Sequence, residues 1–370
     1  MEDENGRIAE KVQALSDIEL AVLICLVADQ HCIIETETTV LNGVEKELRI
    51  VASDVFGLSS TVLDCTANTT VDDFGSGILV KDEGDGYFNS RNGKVRSDFP
   101  PHSESSRFLE KRTSNSSKPL TPMDSRRIAN IVIAKNLNKA SAQVQVQALE
   151  LMRGKRNFTR TAVHAAPRPF LFVALNVGGT ARLSTHLADQ FFISHKHQDV
   201  HGLPNLEELE SKDLVSEDDA STSSVVRSPP AQAEKRGNSS LTFSEEDLKT
   251  LTSLTAQVMV NSEVRAYLHN IVVFMRLHRA VAGGISAMGT RHFNTLVHVL
   301  APLHGLSYVT PSLVALAARK TYPHRITITT PENERSMQWG SSLDAVKAVL
   351  RGVTVEDVIE EVLESVEAPL

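Results

Sequence analysis

The stretch Ile131-Val-Ile-Ala-Lys-Asn-Leu-Asn138 decides the predicted fold. Its first four residues are apolar and three of them are β-branched, which is typical of an inner strand of a parallel sheet with both faces covered. In such sheets the functional groups lie at the carboxyl ends of the strands. This strand ends at Lys135 and Asn136, so these two side chains are the first candidates for a functional site.

Predicted helices and strands alternate on both sides of this stretch. The first helix begins at Ser16, because Ser16-Asp-Ile-Glu19 has the spacing of a capping box and precedes an apolar run. Such alternation indicates a parallel α/β sheet packed between helices. The other elements predicted here are strands at 31–35, 60–65 and 170–174 and helices at 44–56 and 141–153.

The pattern after residue 240 is nearly all helical. Ser244 precedes three acidic residues and is expected to cap one helix, and Pro311 stands at the first position of another. Further helices are predicted at 262–280, 291–303 and 355–366. The sequence therefore predicts an all-α domain behind the α/β core.

Two segments interrupt this organisation, at about 81–125 and 210–240. Both are rich in Ser, Pro, Gly and charge and poor in large apolar residues, so burial cannot offset their ordering entropy, and both are predicted to be disordered. The resulting domains are an α/β core at 1–208 with the first segment as an insert, a linker at 209–240, a helical domain at 241–340, and a C-terminal tail with a short helix at 341–370.

Composition excludes several kinds of protein. The net charge of -8 gives no reason to expect nucleic acid or a membrane as the main partner. The three cysteines lack metal-ligand spacing, and His195-Lys-His197 lacks the further ligands that zinc needs, so no metal site is predicted. The N-terminus has no secretory pattern, and the longest apolar run, 20–28, is too short to span a bilayer. A soluble, cytoplasmic protein is expected.

Three regions of the chain carry a family resemblance. They are Ile131–Asn138 with the helix after it, Pro169–Asn176 with Leu187-Ala-Asp-Gln-Phe191, and 284–293 with Gly305-Leu-Ser-Tyr-Val-Thr-Pro311. The first resembles an apolar strand that ends in two acids, the second resembles the sensor strand with its Leu-Leu-Asp-Arg-Phe segment, and the third resembles the lid with its Tyr-Val-Thr-Pro signature. All three are features of the MoxR and magnesium-chelatase ATPase-subunit group of AAA+ ATPases. The resemblance implies an AAA+-like sheet sandwiched by helices, followed by an all-α lid.

The phosphate-binding loop of that family is missing. Such a loop needs glycines for close backbone approach, a lysine for the phosphate oxygens and a hydroxyl for magnesium. The sequence contains no Gly-Lys-Ser/Thr, and it reads Thr36-Glu-Thr-Thr-Val-Leu-Asn-Gly-Val-Glu-Lys46 at the equivalent place. One glycine remains there, and Glu37, Glu45 and Glu47 are expected to repel phosphate.

The catalytic positions also differ from the family pattern. The resemblance places Lys135 and Asn136 where the family has the two acids that organise magnesium and polarise water, and Gln190 where it has the arginine finger. An ammonium only donates, and an amide takes no proton at neutral pH. No confident catalytic residue is therefore assigned. Asn138, Asn176 and Arg291 are the remaining equivalents of residues that line a nucleotide cleft.

These departures lead to three hypotheses for function. The first is a degenerate AAA+ protein that acts as a scaffold or regulatory subunit without ATP hydrolysis of its own. The second is an ATPase subunit of a magnesium-chelatase-like complex, with nucleotide bound at a subunit interface. The third is an interaction protein that works through its disordered linkers. ATP and magnesium are implied by resemblance only, and the expected partners are proteins, either further copies of this chain or an AAA+ subunit with an intact site.

Overall fold

The computed structural model describes residues 2–81, 126–159, 162–209, 243–335, 337 and 342–369. The two segments that the sequence predicts to be disordered lie outside these ranges, except for Lys81. The strands are β1 (Cys32–Thr36), β2 (Ser60–Asp64), β3 (Leu79–Lys81), β4 (Arg126–Ile128), β5 (Ile131–Lys135), β6 (Arg156–Phe158), β7 (Val163–Ala165), β8 (Leu171–Val177), β9 (Ile193–Lys196), β10 (Val281–Gly283) and β11 (Thr327–Ile328). The helices are α1 (Glu2–Gln13), α2 (Asp17–Ala28), α3 (Leu41–Ile50), α4 (Val71–Gly77), α5 (Ala142–Gly154), α6 (Thr185–Gln190), α7 (Glu245–Gln257), α8 (Ser262–Leu277), α9 (Ala287–Leu303), α10 (Pro311–Thr321), α11 (Leu343–Leu350) and α12 (Val355–Ser365).

A parallel sheet of five strands forms the centre of the core, in the order β2-β5-β8-β1-β9. Strand β5 lies between β2 and β8, with Ile131 opposite Ser60 on one side and Leu171 on the other. Its apolar residues, 131–134, are at most 1% exposed. The prediction of an inner strand with both faces covered is confirmed, and so is the α/β fold class.

Alternation along the strands sends side chains to two different hydrophobic clusters. Ile131 and Ile133 join a cluster with α2, α3 and the helices after residue 243, whereas Val132 and Ala134 face α4, α5 and α6. Helix α2 begins at the predicted capping box, in which Ser16 and Glu19 cap each other's backbone N–H groups. The sheet is therefore sandwiched by helices, as predicted.

The second part of the chain is helical, as expected, with one small antiparallel ribbon of β10 and β11. Helices α7 to α10 surround a core that includes Phe293 and Tyr322. Helix α9 begins at Ala287 rather than at 291, because the hydroxyl of Ser286 accepts a hydrogen bond from the N–H of Gly289 and caps the helix earlier. These side chains belong to the same hydrophobic cluster as β1 and β5, so the helical part packs directly on the sheet layer.

The segment predicted as one helix at 44–56 is α3 followed by a π-helical turn at Val51–Val55. The hydroxyl of Ser53 donates to the carbonyl oxygens of Arg49 and Ile50, both at 3.2 Å, and so competes for acceptors that regular helical N–H groups would use. The antiparallel strand pairs β3–β4 and β6–β7 were not predicted. Their strands have three residues each, which is too few for a period of two to stand out.

Candidate functional site

The carboxyl ends of the five parallel strands bring the candidate side chains to one edge of the sheet. Asp64 of β2 is the register partner of Lys135 of β5, and Glu35 of β1 lies between Asn176 of β8 and Lys196 of β9. Because all five strands run the same way, these residues form one row at the edge.

Lys135 joins the end of β5 to helix α3. Its side chain is 10% exposed, and its ammonium lies 2.7 Å from Oε2 of Glu45 and 2.9 Å from Oδ1 of Asn42. Helix α3 begins at Leu41, so the ammonium sits against its first two turns. A cation is disfavoured near a helix N-terminus, and the Glu45 carboxylate compensates for that. The Lys135 ammonium therefore links the end of β5 to the start of α3 through an ion pair and a hydrogen bond.

Asn136 follows in the left-handed conformation, with φ 52°, which asparagine tolerates better than most residues. Its amide Nδ2 donates to Oδ1 of Asp64 at 3.3 Å, and its backbone N–H bonds to the carbonyl of Leu175. Through its side chain and its backbone N–H, Asn136 thus links the end of β5 to β2 and to β8. It offers no group that takes a proton at neutral pH.

Asn138 and Asn176 lie side by side and hold the loop after β8. The Oδ1 of Asn176 accepts from the backbone N–H of Asn138 at 3.4 Å. The Nδ2 of Asn138 donates to Oγ1 of Thr180 at 2.6 Å and to the carbonyl of Ala181 at 2.8 Å. Both asparagines are buried, so their first role is to fix the path of this loop.

A cleft of about 650 Å³ lies between this edge of the sheet and the helical part. Asn138 and Asn176 line it, together with charged groups of both signs from the core and from α12: Glu35, Arg182, Asp189, Lys196 and Glu356. In the described part of the chain, residues 37–45 are not among its lining residues, so the cleft does not reach the segment that the resemblance aligns with a phosphate-binding loop.

Glu35 faces this cleft because β1 alternates. Ile33 and Glu35 line the cleft, whereas Cys32 and Ile34 point to the opposite cluster against α2 and α3. Burial raises the pKa of the Glu35 carboxyl, and the nearby ammonium of Lys196 works in the other direction. Charges of both signs therefore act on this carboxyl, since Arg182 also lowers its pKa whereas Glu356 raises it.

The arginine that the helical part places at the cleft is Arg325, not Arg291. Arg291 lies on an exposed face of α9 and is not one of the cleft-lining residues. Arg325 is 5% exposed and forms an ion pair with Asp189, with Nε 3.4 Å from Oδ1. Sequence reasoning did not single out Arg325. Its only signal was a cation four residues after the end of α10, just before the alternating segment Ile326-Thr-Ile-Thr329.

Gln190 does not project from the surface as an arginine finger would. It is 9% exposed, and its Oε1 accepts from Nε of Arg153 at 3.0 Å. A finger acts by reaching charge developing on a phosphate, often across a subunit boundary. The neutral amide of Gln190 is instead engaged with the last turn of α5 in its own chain.

The three glutamates expected near the loop have different surroundings. Glu37 is exposed, and Glu45 is paired with Lys135. Glu47 is fully buried and accepts from the backbone N–H groups of Asn205 and Leu206, at 3.2 and 2.8 Å. Its carboxylate therefore caps the short helix at 204–209 and is turned away from the loop, which differs from the expectation that it would repel phosphate there.

The histidine pair of β9 packs against α2 and α10. His195 and His197 are buried, and the Lys320 ammonium lies 3.5 Å from Nδ1 of His195. Burial lowers the pKa of His195 to about 4, with Lys320 adding to the effect. Across the described ranges, no group of three histidine, cysteine or acidic side chains is arranged to hold a metal ion.

The fold is AAA+-like, with an α/β core followed by a helical lid. A family model described as the AAA lid domain matches residues 273–345, from the second half of α8 to the start of α11. A solved structure of a candidate ATPase from Cytophaga hutchinsonii is similar in fold, with a TM-score of 0.61 and 14% identity, over 100% of this chain and 96% of that one. The helical part is hereafter called the lid.

One curated relative is similar in sequence over a shorter stretch. It is the Maintenance of telomere capping protein 2 of Lachancea thermotolerans, which is 30% identical over 128 residues. The match covers 33% of this chain and 45% of the relative, so less than half of the relative's length is represented. Within the described ranges, no helix combines the length and the apolar character needed to cross a membrane.

Proposed function

We propose that this chain is a degenerate AAA+ protein of the MoxR and magnesium-chelatase type, which acts as a scaffold or regulatory subunit and does not hydrolyse ATP by itself. The single observation that supports this most strongly is the contact of Lys135 with Glu45 and Asn42. It is a contact between the end of β5 and the start of α3, where the ATPases of this fold gather magnesium and phosphate.

The physical argument rests on charge. Magnesium is held by oxygen ligands in octahedral geometry, and the Lys135 ammonium offers none. It would also repel a divalent cation, and it already engages the carboxylate and the amide oxygen that could serve as ligands. Binding of magnesium there would require the ion pair to break inside a largely buried site.

The remaining chemistry points the same way. Hydrolysis needs a group that orients and deprotonates water, and Asn136 holds neighbouring strands together instead. It also gains a factor of about a thousand or more from an arginine finger, and Gln190 is buried against Arg153. Lys135, Asn136 and Gln190 therefore lack the carboxylates and the guanidinium that hydrolysis would require at the positions that the resemblance assigns to them.

An alternative has one observation in its favour. The polar cleft of about 650 Å³ between core and lid is large enough for a small ligand, and it contains Asn138 and Asn176. In that case the chain would be an ATPase subunit of a magnesium-chelatase-like complex whose neighbour supplies the missing groups. Recovery of a partner chain with an intact Gly-Lys-Thr loop would favour this alternative.

Turnover is the test that separates the two. Phosphate release by the purified chain with ATP and magnesium is expected to stay at the level of the buffer, at all protein concentrations. The control is the Glu45→Gln variant, which frees Lys135 from its carboxylate but supplies no acid, and is expected to remain inactive too. Magnesium-dependent turnover that co-elutes with the chain in gel filtration would overturn the proposal.

The partners of such a scaffold are proposed to be proteins, either copies of this chain or other AAA+ subunits. The similarity to a protein named for telomere capping gives a process in which to look first. Native mass measurement of complexes purified from the source cell is the direct test. A chain that remains monomeric and alone in every preparation would contradict the scaffold role.

A further inference from the structure

The lid is fastened to the core by one arginine that is almost completely enclosed. Arg325 follows α10 in the lid, and its guanidinium donates to backbone carbonyl oxygens of the core at the end of α6 and just after it. The acceptors there are Asp189 and Phe192, each at 3.4 Å, and Phe191. The same guanidinium donates to the carbonyl of Thr321, the last residue of α10. The arginine thus joins two parts of the chain more than 130 residues apart.

Further groups of both parts complete the surroundings of this guanidinium. Asp189 of the core supplies a carboxylate. On the lid side, Nδ1 of His292 in α9 accepts a hydrogen bond from Nη2 of Arg325 at 2.6 Å. Burial, reinforced by the arginine, lowers the pKa of His292 to about 3, so its imidazole is neutral and can accept. The five N–H groups of a guanidinium have fixed directions, and acceptors on several sides are what a buried arginine needs.

Three other contacts cross the same boundary. The hydroxyl of Ser286, in the lid, donates to Oδ1 of Asp189 at 2.6 Å. Arg182 of the core donates to the carbonyl of Ile326 at 2.9 Å, and Nε2 of His324 lies 3.1 Å from the carbonyl of Phe191. The boundary is therefore polar and centred on the Asp189–Arg325 ion pair.

Within the lid, the backbone at Gly284 passes very close to the backbone of Arg325. Gly284 has φ +101°, and a Cβ added there would meet the carbonyl oxygen of Arg325 at 2.0 Å. No other residue type fits that position without moving the strand β10 or the arginine segment.

We propose that Arg325 is a latch that holds lid and core as one body, whether or not any nucleotide is present. Lid movement in ATPases of this fold couples nucleotide state to work, and a latch made of the chain's own side chains would remove that coupling. The inference goes beyond the proposed function and does not depend on it, since a latched lid is compatible with a ligand in the cleft.

Hydrogen exchange of the full chain tests the latch. In the Arg325→Met variant, amides of 187–193 and 280–286 are expected to exchange at least about tenfold faster than in the wild type, while those of β5 stay protected. The Arg291→Met variant is the matched control, since it removes an exposed lid arginine, and it should exchange like the wild type. Arg325→Lys keeps the charge but not the fork of donors and should be intermediate.

Addition of ATP and magnesium to the wild type is expected to change none of these rates. The latch is overturned if Arg325→Met exchanges like Arg291→Met, or if ATP alone alters exchange at 187–193 and 280–286. If Arg325→Met does not fold, Asp189→Asn and Ser286→Ala take its place, and wild-type exchange in both would equally overturn it. Turnover is measured separately, so failure of the latch and failure of the proposed function give different results.

Discussion

The ammonium of Lys135 and the carboxylate of Glu45 lie 2.7 Å apart and connect the end of an inner strand to the helix that follows the first strand. The two side chains are 10% and 18% exposed, so the pair is largely shielded from water. Under the proposed function, this ion pair takes the place of the magnesium that such an ATPase would bind with its nucleotide.

Breaking that pair should destabilise the protein. Lys135→Met leaves the Glu45 carboxylate largely shielded and unpaired, and we expect a loss of about 1–3 kcal/mol in the free energy of unfolding, measured by urea denaturation. The double variant Lys135→Met with Glu45→Gln should recover part of that loss, because no unpaired charge remains. The control is Lys46→Met, which removes an exposed lysine of the same helix. Equal effects of Lys135→Met and Lys46→Met would contradict the account.

The buried carboxylate of Glu47 should matter through its hydrogen bonds to the backbone. Glu47→Gln replaces one acceptor oxygen by a donor that faces backbone N–H groups of Asn205 and Leu206. The expected loss is about 1–3 kcal/mol, with faster proteolysis near residues 204–209. Glu37→Gln, at an exposed position, is the matched control and should be neutral. Unchanged stability in Glu47→Gln would show that the cap contributes little.

Stability should fall as the pH is lowered from 6.5 toward 4. Burial, assisted by the nearby charge of Lys155, lowers the pKa of His31 to about 4, and its Nδ1 accepts from the N–H of Phe172 at 3.1 Å. The unfolded chain takes up this proton near pH 6.5 and the folded one only near pH 4, so stability is present above 6.5 and is lost as the pH falls between the two values. The expected contribution is about 3 kcal/mol.

The measurement for this prediction is the urea midpoint between pH 7.5 and pH 4.5. The variant His31→Asn offers an uncharged acceptor in place of Nδ1 and should show a shallower dependence on pH. Other buried histidines with lowered pKa, such as His195 and His292, will retain part of the slope. An identical slope in His31→Asn and wild type would exclude His31 as a source.

A methyl group at Gly284 should disturb the boundary between lid and core. Gly284→Ala demands both a positive φ and a contact of 2.0 Å with the carbonyl oxygen of Arg325, so we expect a loss of more than about 2 kcal/mol. Gly154→Ala is the control, because a Cβ at that position meets nothing within 4 Å and the residue is helical. Thermal unfolding of both variants checks the prediction. Similar midpoints would contradict it.

Local signals predicted the fold well because they depend on neighbours in sequence. The capping box at Ser16, the apolar run 131–134 and the proline at the start of α10 all appear where expected. The predicted end of α3 was wrong, because the last turn of the predicted helix is π-helical. The hydrogen bonds of the Ser53 hydroxyl to the preceding carbonyl groups cannot be read from the spacing of hydrophobic residues.

The site was predicted only in part because its contacts are between distant residues. Lys135 was singled out correctly as a strand-end residue, but its partners Asn42 and Glu45 are 93 and 90 positions away. Arg325 was missed for the same reason, since its acceptors lie in the segment after α6. A resemblance assigns positions within motifs, and it cannot show which charges meet across a fold.

Titration calorimetry of the purified chain with ATP and magnesium tests the central claim most directly. The account predicts no saturable heat with up to millimolar nucleotide in the wild type, because the Lys135–Glu45 pair already occupies the site. Micromolar binding that requires magnesium and is weakened by substitutions at Asn42 or Glu45 would contradict it.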